Sequence, residues 1–387
     1  MVEAPLAGLL VVGFEQALSA PFCTRMLGDL GARVIKVEVP AGGDFARQYD
    51  DAVLGSSAHF AWANRNKESL ALDVKDPHAR PALDALLARA DVVVQNLAPG
   101  AAARLGIDAA GVRASNPRAV VVDISGYGDG GPLAHRRAYD LLVQAEAGSC
   151  AITGEPGRPA KPGIPVADAG TGLYATVAVL AALHARHRTG SGASIRLGMF
   201  DVVTDLLGWA LNYTRYTGEE RPPNGMSSPM VSPYGAYPTR DGRTVVLGTT
   251  NDAEWQRLAL QLLDRPDLAQ DPDLATNDQR CAARSRLDGV ISGWTAEHAL
   301  EEVLARADAA KIGCATLNSV VDVIDHPQLV ERGRLVEIGS PGGPFVGLRT
   351  VPASDEWDLP LDAVPAVGQH TEAILHELGL LNAPQGR

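Results

Sequence analysis

Residues 9–38, LLVVGFEQALSAPFCTRMLGDLGARVIKVE, decide the fold. Leu9-Leu10-Val11-Val12-Gly13-Phe14 is a short apolar run without polar alternation, the pattern of a strand buried on both faces. A polar turn follows, then Pro21 and a helix whose Met26, Leu27 and Leu30 recur at helical spacing before Gly31 stops it. Arg33-Val34-Ile35-Lys36-Val37-Glu38 is the next strand. The alternation continues outward. Asp76-Pro77 opens a helix with Leu83, Leu86 and Leu87 on one face, and Asp91–Asn96 and Ala119–Ser125 are further strands. Buried strands joined by helices predict an α/β fold with a parallel sheet. Ligands of such sheets sit beyond the strands' C-terminal ends. That singles out Glu15–Ser19, Asn96–Gly100 and Gly126–Pro132.

Beyond the first half, a long apolar helix runs from Asp168 to about Arg188 and closes at Thr189-Gly190-Ser191-Gly192. Arg221-Pro222-Pro223-Asn224-Gly225 reads as a linker. Tyr234–Pro238 and Thr244–Gly248 flank a turn at Asp241-Gly242, the pattern of a hairpin. Helical segments continue to about Ala310, and the last helix is expected near Thr371–Leu378.

The chain of 387 residues carries a net charge of −12, which argues against general nucleic-acid binding. The start of the sequence lacks a signal-like basic flank, and no apolar stretch of membrane length is expected, so the reading is cytoplasmic with no membrane partner. Cys23, Cys150, Cys281 and Cys314 form no CxxC pair, and the His residues do not cluster in ligand spacing. No metal is assigned.

Gly126-Tyr127-Gly128-Asp129-Gly130-Gly131 matches a dinucleotide-binding pattern. It follows the fourth strand instead of the first, however, and no helix opens directly after it, so it reads as a flexible loop. No Walker phosphate loop and no G-x-S-x-G elbow occur. The informative segment is Pro165-Val166-Ala167-Asp168-Ala169-Gly170-Thr171-Gly172-Leu173. It places Asp168 at or near a helix N-terminus, where the dipole favours its ionised form. Taken alone, Asp168 reads as an N-cap. Gly170 and Gly172 are expected to open the first turn to a ligand.

Together these pieces resemble the class III CoA transferases of the CaiB/BaiF family. The likeness runs from Gly28-Asp29-Leu30-Gly31-Ala32 through Asn64-Arg65-Asn66-Lys67, Leu72-Asp73-Val74-Lys75, Asn96-Leu97-Ala98-Pro99-Gly100, Arg104-Leu105-Gly106 and the Asp168 segment to Gly368-Gln369-His370-Thr371-Glu372. The resemblance implies a Rossmann-like large domain built from both ends of the chain, a smaller α+β domain, and an interlocked homodimer. The expected domains are residues 1–220, 221–312 and 313–387, the last returning to the large domain. Asp168 matches the family's catalytic aspartate. The CoA-binding residues carried over are Gln16, Leu18, Ser19, Leu72, Asp73, Val74, Lys75, Asn96, Leu97, Ala98, Arg104, Arg136, Arg137, Ala138 and Tyr139. Lys75, Arg104, Arg136 and Arg137 suit phosphates, and Asn96 suits the pantetheine. Gln16 and Leu18 depart from formyl-CoA transferase, which has His and Gln there. Val39 departs as well, and the glycine-rich lid of that enzyme has no counterpart. Formyl or oxalyl transfer is therefore not the expected activity.

The implied reaction moves coenzyme A from an acyl-CoA to a small carboxylic acid through an aspartyl intermediate, with the CoA thioester as substrate and no cofactor. Backbone N–H groups of the first loop or of the small domain are expected to hold the oxyanions. Within the family, the rival is racemisation of 2-methylacyl-CoA, which needs acid/base groups on both faces of the alpha carbon. Here Tyr139 stands for the racemase His and Asn251 roughly for its Glu. A tyrosine with a reference pKa of about 10 is a poor base at neutral pH. A catalytically silent CoA-binding protein is the alternative outside catalysis.

Overall fold

The computed structural model describes residues 2–352 and 354–381. The chain divides into two compact units. One comprises Met1–Ser149, Lys161–Leu211 and Leu329–Arg387, the other Cys150–Ala160 and Asn212–Gln328.

The first unit is built on a six-stranded sheet: β1 (Leu10–Phe14), β2 (Arg33–Glu38), β3 (Glu68–Ala71), β4 (Val92–Gln95), β5 (Val120–Ser125) and β6 (Ser194–Gly198). They lie in the order β3-β2-β1-β4-β5-β6. Every neighbouring pair is parallel. The central strands are the apolar runs expected from sequence, with Val12, Val93 and Val121 fully buried. The edge strands β3 and β6 escape the sequence reading. Four residues are too few for a pattern in Glu68–Ala71, and Ser194–Gly198 alternates polar and apolar side chains. The strand order reverses direction between β1 and β4, where their carboxyl ends diverge and leave a crevice.

Helix α1 (Ser19–Asp29) follows β1, and α2 (Arg80–Arg89) buries Leu83, Leu86 and Leu87 in the core with Val12, Ile35 and Val93. Asp76 caps a short 3₁₀ turn at Pro77–Ala79 ahead of α2, where the sequence predicts the helix start. Two more helices matter for the site: α3 (Asp140–Glu146) and α4 (Val166–Thr189). Gly190 closes α4 in the left-handed conformation, φ +70°. By length and composition α4 could cross a membrane, which corrects the expectation that no such stretch exists. In the fold, its Ala167, Thr171, Gly172, Ala175, Thr176, Val179 and Leu183 are buried.

The two early glycines of α4 are also reinterpreted. A Cβ on Gly172 would lie 2.8 Å from the Ser19 carbonyl oxygen and 3.0 Å from Phe22, and one on Gly170 would lie 3.2 Å from Leu206. They allow close helix packing. They do not open the turn to a ligand.

The second unit holds an antiparallel sheet, β7 (Tyr234–Pro238), β8 (Thr244–Gly248) and β9 (Gly313–Thr316), with the expected hairpin between β7 and β8. Trp255, Leu258, Leu287, Ile291 and Val303 form its core. Because β9 pairs with β8, residue 313 still belongs to this unit. The chain re-enters the first unit at Leu329, and leaves it after Leu211 instead of residue 220. Its final helix, Thr371–Glu377, places Ile374 in the first unit's core.

Candidate active site

A cavity of about 340 Å³ in the first unit opens at the crevice between β1 and β4. It brings together ten of the residues predicted from sequence: Asp168, the loop residues Gln16 and Ser19, Asn96–Ala98 after β4, and Arg136–Tyr139. Phe45, Ser125 and Met199 also line it and were not foreseen. Leu72 and Val74 line a smaller neighbouring cavity with Gln16 and Leu97. Leu18 is fully buried and faces neither, a correction to its expected contact with CoA. Asp73, Lys75 and Arg104 are exposed outside both linings, and Asp73 accepts from the Lys75 N–H at 3.0 Å. Among the described residues Lys75, Arg104, Arg136 and Arg137 make no ion pair, so their charges are uncommitted.

The first loop is held from several sides. Asn96 Oδ1 accepts from the Gln16 N–H at 2.9 Å, while its Nδ2 donates to the Gln16 carbonyl at 2.8 Å and to Ser19 Oγ at 3.2 Å. The Asn96 amide therefore holds the loop in place while lining the cavity. The Ala17 N–H donates to Asp44 Oδ1 at 3.2 Å, with Ala17 itself at φ +58°. The Ser19 N–H and hydroxyl lie close enough to Asp168 to favour its ionised form. The N–H groups of Gln16 and Ala17 are thus occupied, which removes these two from the expected oxyanion donors. The Gln16 side-chain amide has no partner among the described residues and lines the cavity.

Beneath the loop lies a buried ionic cluster. Lys36 Nζ meets Asp44 at 2.8 Å and Glu15 at 3.3 Å, and Lys67 Nζ meets Glu15 at 2.7 Å, all four side chains being fully buried. Lys67 also donates to the Pro21 carbonyl at 2.9 Å and to Asn64 Oδ1 at 3.0 Å, tying α1 to the cluster. Burial pushes the Glu15 carboxyl up, but Lys67 and Lys36 outweigh it and hold Glu15 below the usual carboxylate range. The segment Asn64–Lys67 thus acts as the anchor of the site's first loop. Arg65 forks onto Asp29 at 2.8 and 2.6 Å in the same segment.

Asp168 is the third residue of α4 and not its N-cap. The capping oxygen comes from Asp140, whose Oδ1 accepts from the N–H groups of Ala167 at 3.0 Å and Asp168 at 3.3 Å. No local signal announces this pairing, since the partners stand 27 and 28 residues apart. Burial first, then the Asp140 charge, push the Asp168 carboxyl up to about 6, against the Ser19 donors and Lys161. The carboxylate is still mostly ionised at neutral pH, yet it is more basic than an exposed aspartate. Tyr49 lies within the fields of Asp168 and Tyr139, and burial, Asp44 and these two raise its pKa. A half-buried, basic carboxylate beside a crevice lined by unpaired arginines has the chemistry to attack an electrophilic carbon of an anionic substrate.

A parallel-sheet enzyme with a basic carboxylate in the crevice at its strand crossover is the class that fold and site define. The chain belongs to CoA-transferase family III, whose model matches residues 6–371. It is 33% identical over 388 residues to a succinate–glutarate CoA-transferase of Agrobacterium fabrum, covering 97% of this chain and 96% of that one. It is 32% identical over 393 residues to a formyl-CoA:oxalate CoA-transferase of Streptomyces avermitilis, covering 97% and 96%. A CAIB/BAIF family crystal structure from Brucella suis superposes with a TM-score of 0.85 at 34% identity, covering 97% of this chain and all 100% of that one. The chain is an acyl-CoA:carboxylate CoA-transferase of that family.

Proposed function

We propose that Asp168 carries CoA transfer to a small carboxylic acid as a covalent nucleophile. The observation that carries this reading is a carboxylate raised to about 6, half-buried, in one cavity with Gln16, Arg136 and Arg137. An Asp168 oxygen attacks the thioester carbonyl, the C–S bond breaks, and CoA leaves as its thiolate, giving a mixed anhydride. The thiolate then attacks the aspartyl carbonyl, and the anhydride C–O bond breaks. The donor acid departs as a carboxylate, leaving an aspartyl-CoA thioester. An acceptor carboxylate runs both steps in reverse. The free Gln16 amide is the candidate donor to the oxyanions, and the uncommitted arginines suit CoA phosphates. Succinate, glutarate and oxalate, which the relatives' names specify, form the first acceptor panel.

The protein works as a homodimer in this proposal. What supports it is apolar surface left uncovered in a single chain: Val177 of α4 is 67% exposed, Leu173 and Tyr174 beside it are also exposed, and Val320 and Val321 in the second unit are 84% and 76% exposed.

Hydroxylamine tests the covalent step. It converts an aspartyl-CoA thioester to a hydroxamate, adding about 15 Da to the side chain by ordinary acyl substitution. Incubation with acyl-CoA and hydroxylamine is expected to inactivate the enzyme and mark the peptide containing Asp168. An unmodified peptide beside an active Asp168→Asn variant refutes the mechanism.

A further inference from the structure

Helix α4 presents the nucleophile in its first turn but brings no cap of its own. Pro165 precedes it, and no side chain in the adjoining sequence bonds its first N–H groups. Asp140 supplies the missing acceptor from another element, and its carboxylate is fully engaged there. Oδ1 takes the Ala167 and Asp168 N–H groups. Oδ2 accepts from Gln144 Nε2 at 2.7 Å and lies 3.4 Å from Lys161 Nζ. Only 13% of this side chain is exposed. Asp140 also begins α3 directly after Tyr139, so one residue ties the cavity-lining segment Arg136–Tyr139 to the helix carrying Asp168.

Resting on the nucleophile assignment above, we propose that Asp140 is a positioning residue for Asp168: it caps the helix that presents the nucleophile and holds a negative charge against it, with Lys161 as the balancing cation. The groups around Asp168 come from every neighbouring element. Ser19 of α1 favours the ionised form, Asp140 of α3 repels, Lys161 before α4 attracts, and Tyr49 faces it as a neutral phenol. The repulsive member makes the nucleophile more basic and so more reactive, while the cap fixes its approach. Lys161 tempers that repulsion, and the two charges act on Asp168 in opposite directions.

This opposition gives a test that a purely structural role does not mimic. Asp140→Asn keeps an oxygen for the Ala167 and Asp168 N–H groups and removes the charge. The acidic limb of the pH–rate profile, set near 6 by Asp168, is expected to move to lower pH, with turnover on the plateau falling roughly three-fold per unit of lost basicity, the sensitivity known for thiolate nucleophiles. Lys161→Gln is expected to move the same limb to higher pH. Asp140→Ala should shift the limb as Asn does and also lower the thermal midpoint. The proposal is overturned if Asp140→Asn and Lys161→Gln both keep the wild-type limb while activity follows the folded fraction. An Asp168→Asn control separates the two readings. Activity in that variant sinks the nucleophile assignment itself, whereas an unshifted limb with a silent Asp168→Asn sinks only the role of Asp140.

Discussion

Replacing Asp168 by Asn should abolish turnover and yet make the protein relatively more stable as pH rises. The folded-state carboxyl titrates near 6 against an ordinary 3.8, a rise of about 2 units. At 1.36 kcal/mol per unit the ceiling is about 3 kcal/mol, and solvent screening at a half-buried site brings it to about 1–2 kcal/mol. The sign follows from linkage. A raised acid pKa means the folded state binds more protons than the unfolded one between about pH 4 and 6. Wild-type stability therefore falls as pH rises through that window, and the Asn variant has no such loss. The substitution also forfeits part of the favourable contact with the Ser19 N–H and hydroxyl, about 1 kcal/mol. At about pH 4.5 the variant should be slightly the less stable, and at about pH 7.5 equal or slightly the more stable. Urea midpoints across that range at fixed protein concentration, with transferase assays on the same samples, measure both effects. A stability difference that stays flat, or that falls with pH, refutes the argument. A falling difference is what an ionised N-cap at residue 168 would produce.

Four further outcomes are expected. Lys36→Met leaves the buried Asp44 without an ion-pair partner and Glu15 with Lys67 alone, and should destabilise the fold by about 3–5 kcal/mol; a loss under about 1 kcal/mol in denaturation would show that the cluster is not the anchor of the first loop. The Arg136→Ala, Arg137→Ala double variant should raise KM for acyl-CoA with little change in kcat, since these side chains offer uniform binding; an unchanged KM means that the phosphates lie elsewhere. A 2-methylacyl-CoA incubated in deuterated water should keep its alpha proton, because Tyr139 is a poor base and the Asn251 side chain is engaged in capping the helix Asp252–Arg257; rapid exchange would bring back the racemase reading. Sedimentation at low concentration should give a dimer, and a stable, active monomer would leave the exposed Val177 and Val320 faces unexplained.

Sequence alone determined what depends on neighbours along the chain. The apolar runs that became β1, β2, β4 and β5, the hairpin around Asp241-Gly242, and the glycine that closes α4 are local choices with local signals. Asp168 was legible as a carboxylate in a first helical turn, and the family resemblance gave it a chemical role. The tertiary structure decided which groups act on it. Asp140 caps α4 from 27 residues away, Asn96 holds the Gln16 loop across 80, and Lys67 reaches Glu15 across 52. A side chain's own sequence says that it can donate or accept, but which partner meets it depends on strand order and crossovers that bring distant segments to one crevice. The edge strands β3 and β6 belong to the same case, because their short or alternating sequences become strands only when β2 and β5 offer unpaired edges beside them. The basicity of Asp168 has the same origin: a carboxylate's pKa is set by burial and nearby charge, and both come into being only when the chain folds.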